Sequence, residues 1–171
     1  ARGWHPFPGA PTERGAFLAT DTVDDAPTLW MHTSDALYRY DGAKGDWSRV
    51  PGLSGHMARF LTGARSGRLA SGERVLWVSS SVHGVGRLQL DAPDTVWRWI
   101  AANRNRAMRS SNVSSIAIDG EGHVYAGTAG GLLMLVPGHT ISDSVVIGDV
   151  FVASDGLPHE HITALALSLD Q

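Results

Sequence analysis

The histidines near the end of the sequence are the residues whose types and spacing are best suited to chemistry. His159 and His161 flank Glu160 in the segment Pro-His-Glu-His-Ile-Thr. A His-x-His pair can bind a metal ion when both side chains project the same way from a strand. The His-Glu-x-x-His spacing of zinc proteases is absent, and we predict no metal site. We interpret further histidines, which are scattered along the sequence, as structural: His32, His56, His83, His123 and His139.

Carboxylate pairs are the next candidates, because acid–base catalysis commonly uses two carboxylates. The best-placed pairs are Asp24 with Asp25 and Asp119 with Glu121. Asp119 and Glu121 lie in an Asp-Gly-Glu-Gly segment, and Asp-Gly steps are typical of tight hairpin turns. The serine run that begins at Ser79 lacks the Gly-x-Ser-x-Gly elbow of a nucleophile. We therefore predict no catalytic residue, no cofactor and no enzyme activity in this segment.

The tryptophans suggest a different kind of site. Trp30 and Trp77 occupy equivalent positions in a repeat, and we expect them to pack between repeats because an indole buries a large apolar area. Trp47 lies off that position, as do Trp4, Trp97 and Trp99. An exposed tryptophan can stack on a sugar ring, whereas one on an outer strand packs on the outer layer. We take Trp47 as a candidate ligand-binding residue.

Composition excludes several classes of protein. The chain has 171 residues, is 43% hydrophobic and 18% charged, and carries a formal net charge of -3. These values are ordinary for a globular protein and give no electrostatic reason to expect nucleic acid or an anionic membrane as a partner. Cysteine is absent, so disulfides and thiolate metal sites are excluded. The 20 glycines are spread along the chain and indicate many short strands.

The elements that must position these residues repeat along the chain. Three segments share an aromatic residue followed three positions later by a hydroxyl residue: Trp30 with Thr33, Trp77 with Ser80, and Tyr125 with Thr128. Successive aromatic residues lie 47 and 48 residues apart. The segments that begin at Val113 and Ile162 are also alike and lie 49 residues apart. A period of this length indicates a repeat architecture.

Each repeat contains four short apolar segments separated by turn residues. Four antiparallel strands in about 40 to 50 residues are typical of a β-propeller blade. We predict an all-β fold, a partial propeller ring of about three and a half four-stranded antiparallel blades within one unit, 1–171. The predicted blades span residues 15–51, 57–100 and 112–154, and a fourth begins over 157–171. The segment 101–109 is a weak helix candidate, which we interpret as a loop or single turn.

The third repeat resembles a known family. The segment VSSIAIDGEGHVYAGTAGGLLML, followed later by DGLPHEHITALALSLD, is similar to the two-component regulator propeller repeat. The match is close over 112–135 and 155–169 and looser elsewhere. Tyr125 replaces the usual tryptophan, Ser79 replaces a glycine, and 34–36 replace a Gly-Gly pair. In this family a variable loop follows Asp-Gly-Leu-Pro, so the resemblance places His159 and His161 in an exposed loop, where we take them as ligand-binding candidates.

The resemblance implies a role in signalling. Such propellers are sensor regions of bacterial hybrid histidine kinases or diguanylate cyclases, and lie in the periplasm or outside the cell as part of an inner-membrane protein. It also implies a dimeric receptor and a carbohydrate or other small ligand. We expect no direct membrane contact, and expect the rest of the ring, which needs four to eight blades, to come from the same chain or from further copies. Two alternatives stay open, a propeller enzyme such as a lyase or lactonase and a non-catalytic scaffold.

Overall fold

The structure is a computed structural model that describes residues 9–23, 26–90, 92, 96–102 and 106–167. Trp4 and the pair Asp24 and Asp25 lie outside these residues. Among the described residues, twelve strands form three four-stranded antiparallel sheets. The chain divides into two compact units, 1–59 and 60–171. None of the described helices is long and apolar enough to cross a membrane.

The first unit contains one sheet, in which neighbours in the chain are neighbours in space. Its strands are β1 Gly15–Val23, β2 Ala26–Thr33, β3 Leu37–Asp41 and β4 Asp46–Arg49. Trp30 on β2 is fully buried. A one-turn helix, α1 Gly55–Ala58, follows the sheet.

The second unit contains two sheets with the same connectivity. The second sheet consists of β5 Leu61–Arg68, β6 Arg74–Ser80, β7 Gly84–Gln89 and β8 Arg98–Ile100. The third consists of β9 Val113–Ile118, β10 Val124–Thr128, β11 Gly131–Val136 and β12 Val146–Phe151. In each sheet the strand order follows the chain, so every connection is a hairpin.

The hydroxyl residue of the repeat ends the second strand of each sheet and holds the turn that follows. Thr128 Oγ1 accepts a hydrogen bond from the backbone N–H of Gly130 at 2.9 Å and donates one to the carbonyl oxygen of Gly131 at 2.8 Å. This is the physical reason for the hydroxyl three residues after each aromatic residue. The equivalent bonds join Ser80 Oγ to the N–H of His83 at 3.1 Å and Thr33 Oγ1 to the N–H of Ala36 at 3.2 Å.

The core of the second unit lies between its two sheets. Strand β9, the first strand of the third sheet, packs against β5 and β6 of the second. Trp77 is 1% exposed and belongs to this core, as expected of a repeat tryptophan. The other members of this core include Val75, Val85, Val113, Val124, Leu133 and Leu135. Apolar burial between consecutive sheets therefore holds this unit together.

The predicted fold class is confirmed: the chain is all-β, with three sheets of the kind that form propeller blades. The weak helix candidate at 101–109 is not a helix where the structure describes it, and its residues 103–105 lie outside the described part. Met108 in this segment is buried in the core between the sheets. The interpretation as a loop or turn fits that segment better than the helix.

The β9–β10 turn is a hairpin turn, as the Asp-Gly-Glu-Gly segment predicts. The glycine at positive φ in this turn is Gly122, at 86°. The backbone N–H of Gly122 bonds to the carbonyl oxygen of Asp119 at 3.1 Å, and the N–H of Asp119 bonds to the carbonyl of His123 at 3.1 Å. The turn is therefore one residue longer than a two-residue hairpin requires.

The predicted beginning of a fourth blade has no strand over the described residues 157–167. A strand forms only when its backbone groups pair with a neighbour. Ile162 is nevertheless held against the third sheet, because its N–H donates to the carbonyl oxygen of Thr128 at 3.0 Å. In this segment, Ile162 is the position at which a backbone hydrogen bond to the third sheet is seen.

Candidate functional site

The turn between β9 and β10 is built around the carboxylate of Asp119. Its Oδ1 accepts the backbone N–H groups of Glu121 and His123, both at 2.9 Å. These bonds hold the turn in an Asx-type conformation that aspartate favours. The second oxygen, Oδ2, remains available for side chains.

A histidine and a tyrosine converge on that second oxygen. His123 Nδ1 lies 3.1 Å from Asp119 Oδ2, and the Tyr125 hydroxyl donates to the same oxygen at 3.2 Å. Glu121 Oε2 lies 3.6 Å from His123 Nδ1. Because both carboxylates face Nδ1, the tautomer that satisfies them carries a proton on Nδ1, and Nε2 is the ring nitrogen that faces away from them.

The pKa values of Asp119 and Tyr125 shift in opposite directions. Burial tends to raise the pKa of Asp119, but hydrogen bonds from His123 and Glu121 and the charge of His123 hold it below its ordinary value. Burial, then the bond to Asp119, and then nearby carboxylate charges raise the pKa of Tyr125. Asp119 is therefore an anion and Tyr125 a neutral donor across the physiological range.

A cavity of about 230 Å³ opens beside this cluster, between loops of the second and third sheets. Its polar lining includes Arg68, Glu121, His123 and His139. Two bonds fix the loops to one another. The N–H of Ser71 donates to the carbonyl of His139 at 3.0 Å, and the N–H of Ile141 donates to Glu73 Oε2 at 2.9 Å.

The cavity can recognise a polar ligand by hydrogen bonds. Arg68 supplies donors, Glu121 an acceptor, and the two histidines either, and such fixed polar groups orient a ligand in a concave site. His123 Nε2 is placed to meet a ligand, because Nδ1 faces Asp119. Among the described residues, no group of three or more histidine and acidic side chains is arranged to hold a metal ion.

The two predicted loop histidines lie together, at the opposite end of the third sheet. Both are exposed, and the backbone N–H of His161 donates to His159 Nδ1 at 3.0 Å. Glu160 between them forms an ion pair of 3.3 Å with Arg109. The structure therefore places these histidines on an ordered surface loop, away from the Asp119 turn.

Trp47 belongs to the first unit and is not brought together with the histidines by anything the structure describes. It lies on β4, half-buried, in register with Tyr40 of β3. The two ring centroids are 5.3 Å apart, with an angle of 49° between the planes. This arrangement is packing on an outer strand, the alternative that the sequence left open.

Sequence reasoning missed the role of His123, which it interpreted as one of several scattered structural histidines. A signal was present, because His123, just before β10, and Tyr125 on β10 are two residues apart and share a face when the chain is extended. Asp119 at the start of the turn is the carboxylate that both side chains contact. The turn interpretation of Asp119 and Glu121 is correct, but it accounts for only half of what Asp119 binds.

No protein-family model and no curated protein match the chain, so its membership of the propeller repeat family stays a prediction. Two solved structures from B. thetaiotaomicron share its fold. The extracellular domain of BT4673, described as a one-component system, has a TM-score of 0.51 and 18% identity over 75% of this chain. That of BT3049, described as a hybrid two-component system, has a TM-score of 0.51 and 19% identity over 80%.

The likeness covers only a small part of each of those structures. This chain spans 17% of the first and 18% of the second, less than a fifth of either. At this level of identity the comparison concerns the fold. The chain therefore shares its all-β blade architecture with part of two bacterial extracellular domains.

Proposed function

We propose that this chain is part of the extracytoplasmic sensor region of a bacterial signalling receptor, where it binds a small ligand. The observation that carries the proposal is the shared fold with the extracellular domains of BT4673 and BT3049. The chain would lie in the periplasm or outside the cell, as a non-enzymatic part of a dimeric inner-membrane protein. The signalling output would belong to other parts of that protein.

The polar cavity beside Asp119 supports a ligand rich in hydroxyl groups, such as a carbohydrate. Arg68 and Glu121 place a strong donor and a strong acceptor in the lining. The loop with His159 and His161 is the second candidate surface, because its side chains are exposed and its backbone is held by local bonds.

Location can be tested by cysteine labelling in living cells, since the chain itself contains no cysteine. The variant Ser154→Cys places a thiol at an exposed site, and Ser79→Cys places one at a fully buried site. A maleimide that cannot cross the inner membrane should label Ser154→Cys in intact cells and leave Ser79→Cys unlabelled. Labelling of Ser154→Cys only after the inner membrane is broken would show a cytoplasmic location and reject the proposal.

Ligand binding can be tested by a thermal-shift screen of oligosaccharides on the full-length protein. A ligand present at about 100 times its Kd stabilises the folded state by about 2.7 kcal/mol, so a true ligand raises Tm with the logarithm of its concentration above the Kd. The variants His123→Gln, His159→Ala with His161→Ala, and Trp47→Ala then locate the site. Val82→Ser, at an exposed residue, serves as the control.

The screen also separates the alternatives. Loss of the shift only in His123→Gln locates the site at the cavity, and loss only in the double histidine variant locates it at the loop. Conversion of a compound to a product, detected by mass spectrometry, would favour a propeller enzyme over a sensor. A screen in which no compound shifts Tm would favour a scaffold.

A further inference from the structure

Two arginines stand side by side on the second sheet. Arg87 on β7 is in register with Trp77 of β6 on one side and with Arg98 of β8 on the other. Residues in register on neighbouring antiparallel strands project from the same face, and like charges placed this way destabilise a sheet. The pair therefore needs an anion close by.

Arg87 is the buried member of the pair, with only 3% of its surface exposed. Its guanidinium carbon lies 5.7 Å from the centre of the Trp77 ring, and Nη2 donates to the carbonyl oxygen of Asp143. Nε and Nη1 are buried and have no hydrogen-bond acceptor among the described residues. Burial, followed by the charge of Arg98, lowers the pKa of Arg87, whereas Asp143 acts in the opposite direction.

The first sheet contains the same arrangement with a carboxylate close to the arginine, although that carboxylate also pairs with Lys44 at 3.7 Å and Arg39 Nε is likewise buried without an acceptor among the described residues. Arg39 there is in register with Trp30 and lies 6.0 Å from its ring. Its Nη2 is 3.8 Å from Oδ2 of Asp41, two residues further along β3. The residue on the other side of Arg39, Ser48, carries no charge.

The second sheet differs from the first at both of these neighbouring positions. Gln89 stands two residues after Arg87, where Asp41 follows Arg39. Arg98 stands in register with Arg87, where Ser48 pairs with Arg39. Among the described residues, a neutral amide and a second cation thus stand where the first sheet has a carboxylate and a serine, and Nε and Nη1 of Arg87 have no acceptor there.

A crevice adjoins this cationic pair. It has a volume of about 160 Å³ and is lined by Gln89, Val96, Arg98, Ile141 and Ser142. The guanidinium, amide and hydroxyl groups in this lining can all donate to an anion. The Asp143 carboxylate beside it accepts the backbone N–H of Thr140 at 2.7 Å, and its charge partly offsets that of Arg87.

We propose that this crevice binds one oxyanion group, a carboxylate, sulfate or phosphate, either free or carried by a small ligand. Arg98, Gln89 and Ser142 contact the group, and Arg87 supplies a second, desolvated positive charge behind them. A bidentate guanidinium matches the geometry of such groups. The volume suits a single functional group with water rather than a whole ligand. The site is independent of the sensing proposal.

Inorganic phosphate is the probe for the test, titrated into the full-length protein against chloride at constant ionic strength. The wild type should show a rise in Tm that grows with the logarithm of the phosphate concentration once this exceeds the Kd. Arg98→Gln should weaken the apparent affinity at least about tenfold, because it removes a charge-assisted contact. Gln89→Glu restores the carboxylate of the first sheet, so it should raise Tm without phosphate and abolish the response. Arg106→Gln, at an exposed arginine of the same unit, is the control and should respond as the wild type does.

Phosphate also stabilises proteins without binding, because it is excluded from their surface. The proposal is rejected if this effect alone explains the rise in Tm. A rise in Tm that is linear in phosphate concentration and equal in all four proteins shows exclusion only, with no site. If Arg98→Gln does not fold, Gln89→Glu decides alone, since a phosphate response that survives there rejects the site. Organic carboxylates and sulfate esters tested next distinguish a free ion from a group on a ligand. A negative phosphate result leaves the oligosaccharide screen unaffected.

Discussion

The Thr62 hydroxyl donates a 2.7 Å hydrogen bond to the carbonyl oxygen of Val113, joining the first strand of the second sheet to the first strand of the third. The same bond recurs one repeat later, where the Ser114 hydroxyl donates to the carbonyl oxygen of Ile162. Val113 and Ile162 are the two residues whose separation of 49 defines the repeat in the sequence. The period is therefore visible as a repeated hydrogen bond between consecutive repeats.

Removing the Thr62 hydroxyl should loosen the contact between the second and third sheets. Thr62→Val keeps the shape of the side chain but leaves the Val113 carbonyl without this donor, and should lower the free energy of unfolding by about 1 kcal/mol. Urea unfolding measures the loss as a lower midpoint with an unchanged slope. Thr62→Ser keeps the hydroxyl and should lie closer to the wild type. A Thr62→Val variant as stable as the wild type would show that the bond contributes nothing.

The turn after β10 depends on Thr128, which is 1% exposed. Thr128→Val leaves the buried N–H of Gly130 without its acceptor, and should destabilise the protein by about 1 to 3 kcal/mol. Thr128→Ser preserves both bonds of the hydroxyl and should recover most of that stability. Differential scanning calorimetry compares the two variants, and a valine variant as stable as the wild type would show that the two hydroxyl bonds contribute nothing.

Asp119 should make stability depend on pH in the acid range. Its pKa is lowered in the folded protein, so its contribution is present above the unfolded value of about 4 and is lost as the pH falls through the folded value. Asp119→Asn should be less stable than the wild type at neutral pH, and the difference should shrink below about pH 4. Urea unfolding across this pH range measures how the free energy of unfolding of each protein changes with pH. Parallel curves for the two proteins would contradict the lowered pKa.

Trp77 should be the most sensitive position in the core of the second unit. Trp77→Ala removes a side chain that is 1% exposed and should cost about 3 to 5 kcal/mol through lost burial and a cavity. Val82→Ala, at a residue 49% exposed, should change stability by less than about 0.5 kcal/mol. Thermal unfolding of both variants tests the contrast, and a small loss for Trp77→Ala would place it outside the core.

The sequence predicted the strands well because their signals are local. The hydroxyl after each aromatic residue acts within its own turn, as Thr128 does with Gly130. Glycines at positive φ likewise punctuate the chain, as Gly122 does before β10 and Gly131 at the start of β11. These features depend on residues no more than a few positions apart, so a repeat in the sequence carries them directly.

The sites were less accessible to sequence reasoning because their partners come from different strands and sheets. Arg87 and Arg98 are 11 residues apart, and only the register of β7 against β8 places them side by side. The cavity beside His123 likewise needs Arg68 of the second sheet and His139 of the third. The residues chosen as ligand-binding candidates by their type differ in their surroundings. Trp47 packs on Tyr40, whereas His159 and His161 are exposed, as expected.

The sequence by itself determined the period, the all-β class and the place of each turn, because backbone propensity and short-range hydrogen bonding settle these within a few residues. Tertiary structure alone decided which charges meet. Coulomb interactions and desolvation depend on distance in space and on burial, and neither follows from spacing along the chain. Asp41 pairs with Arg39, whereas Gln89 leaves Arg87 beside Arg98, and only the register of the strands makes that difference a candidate site.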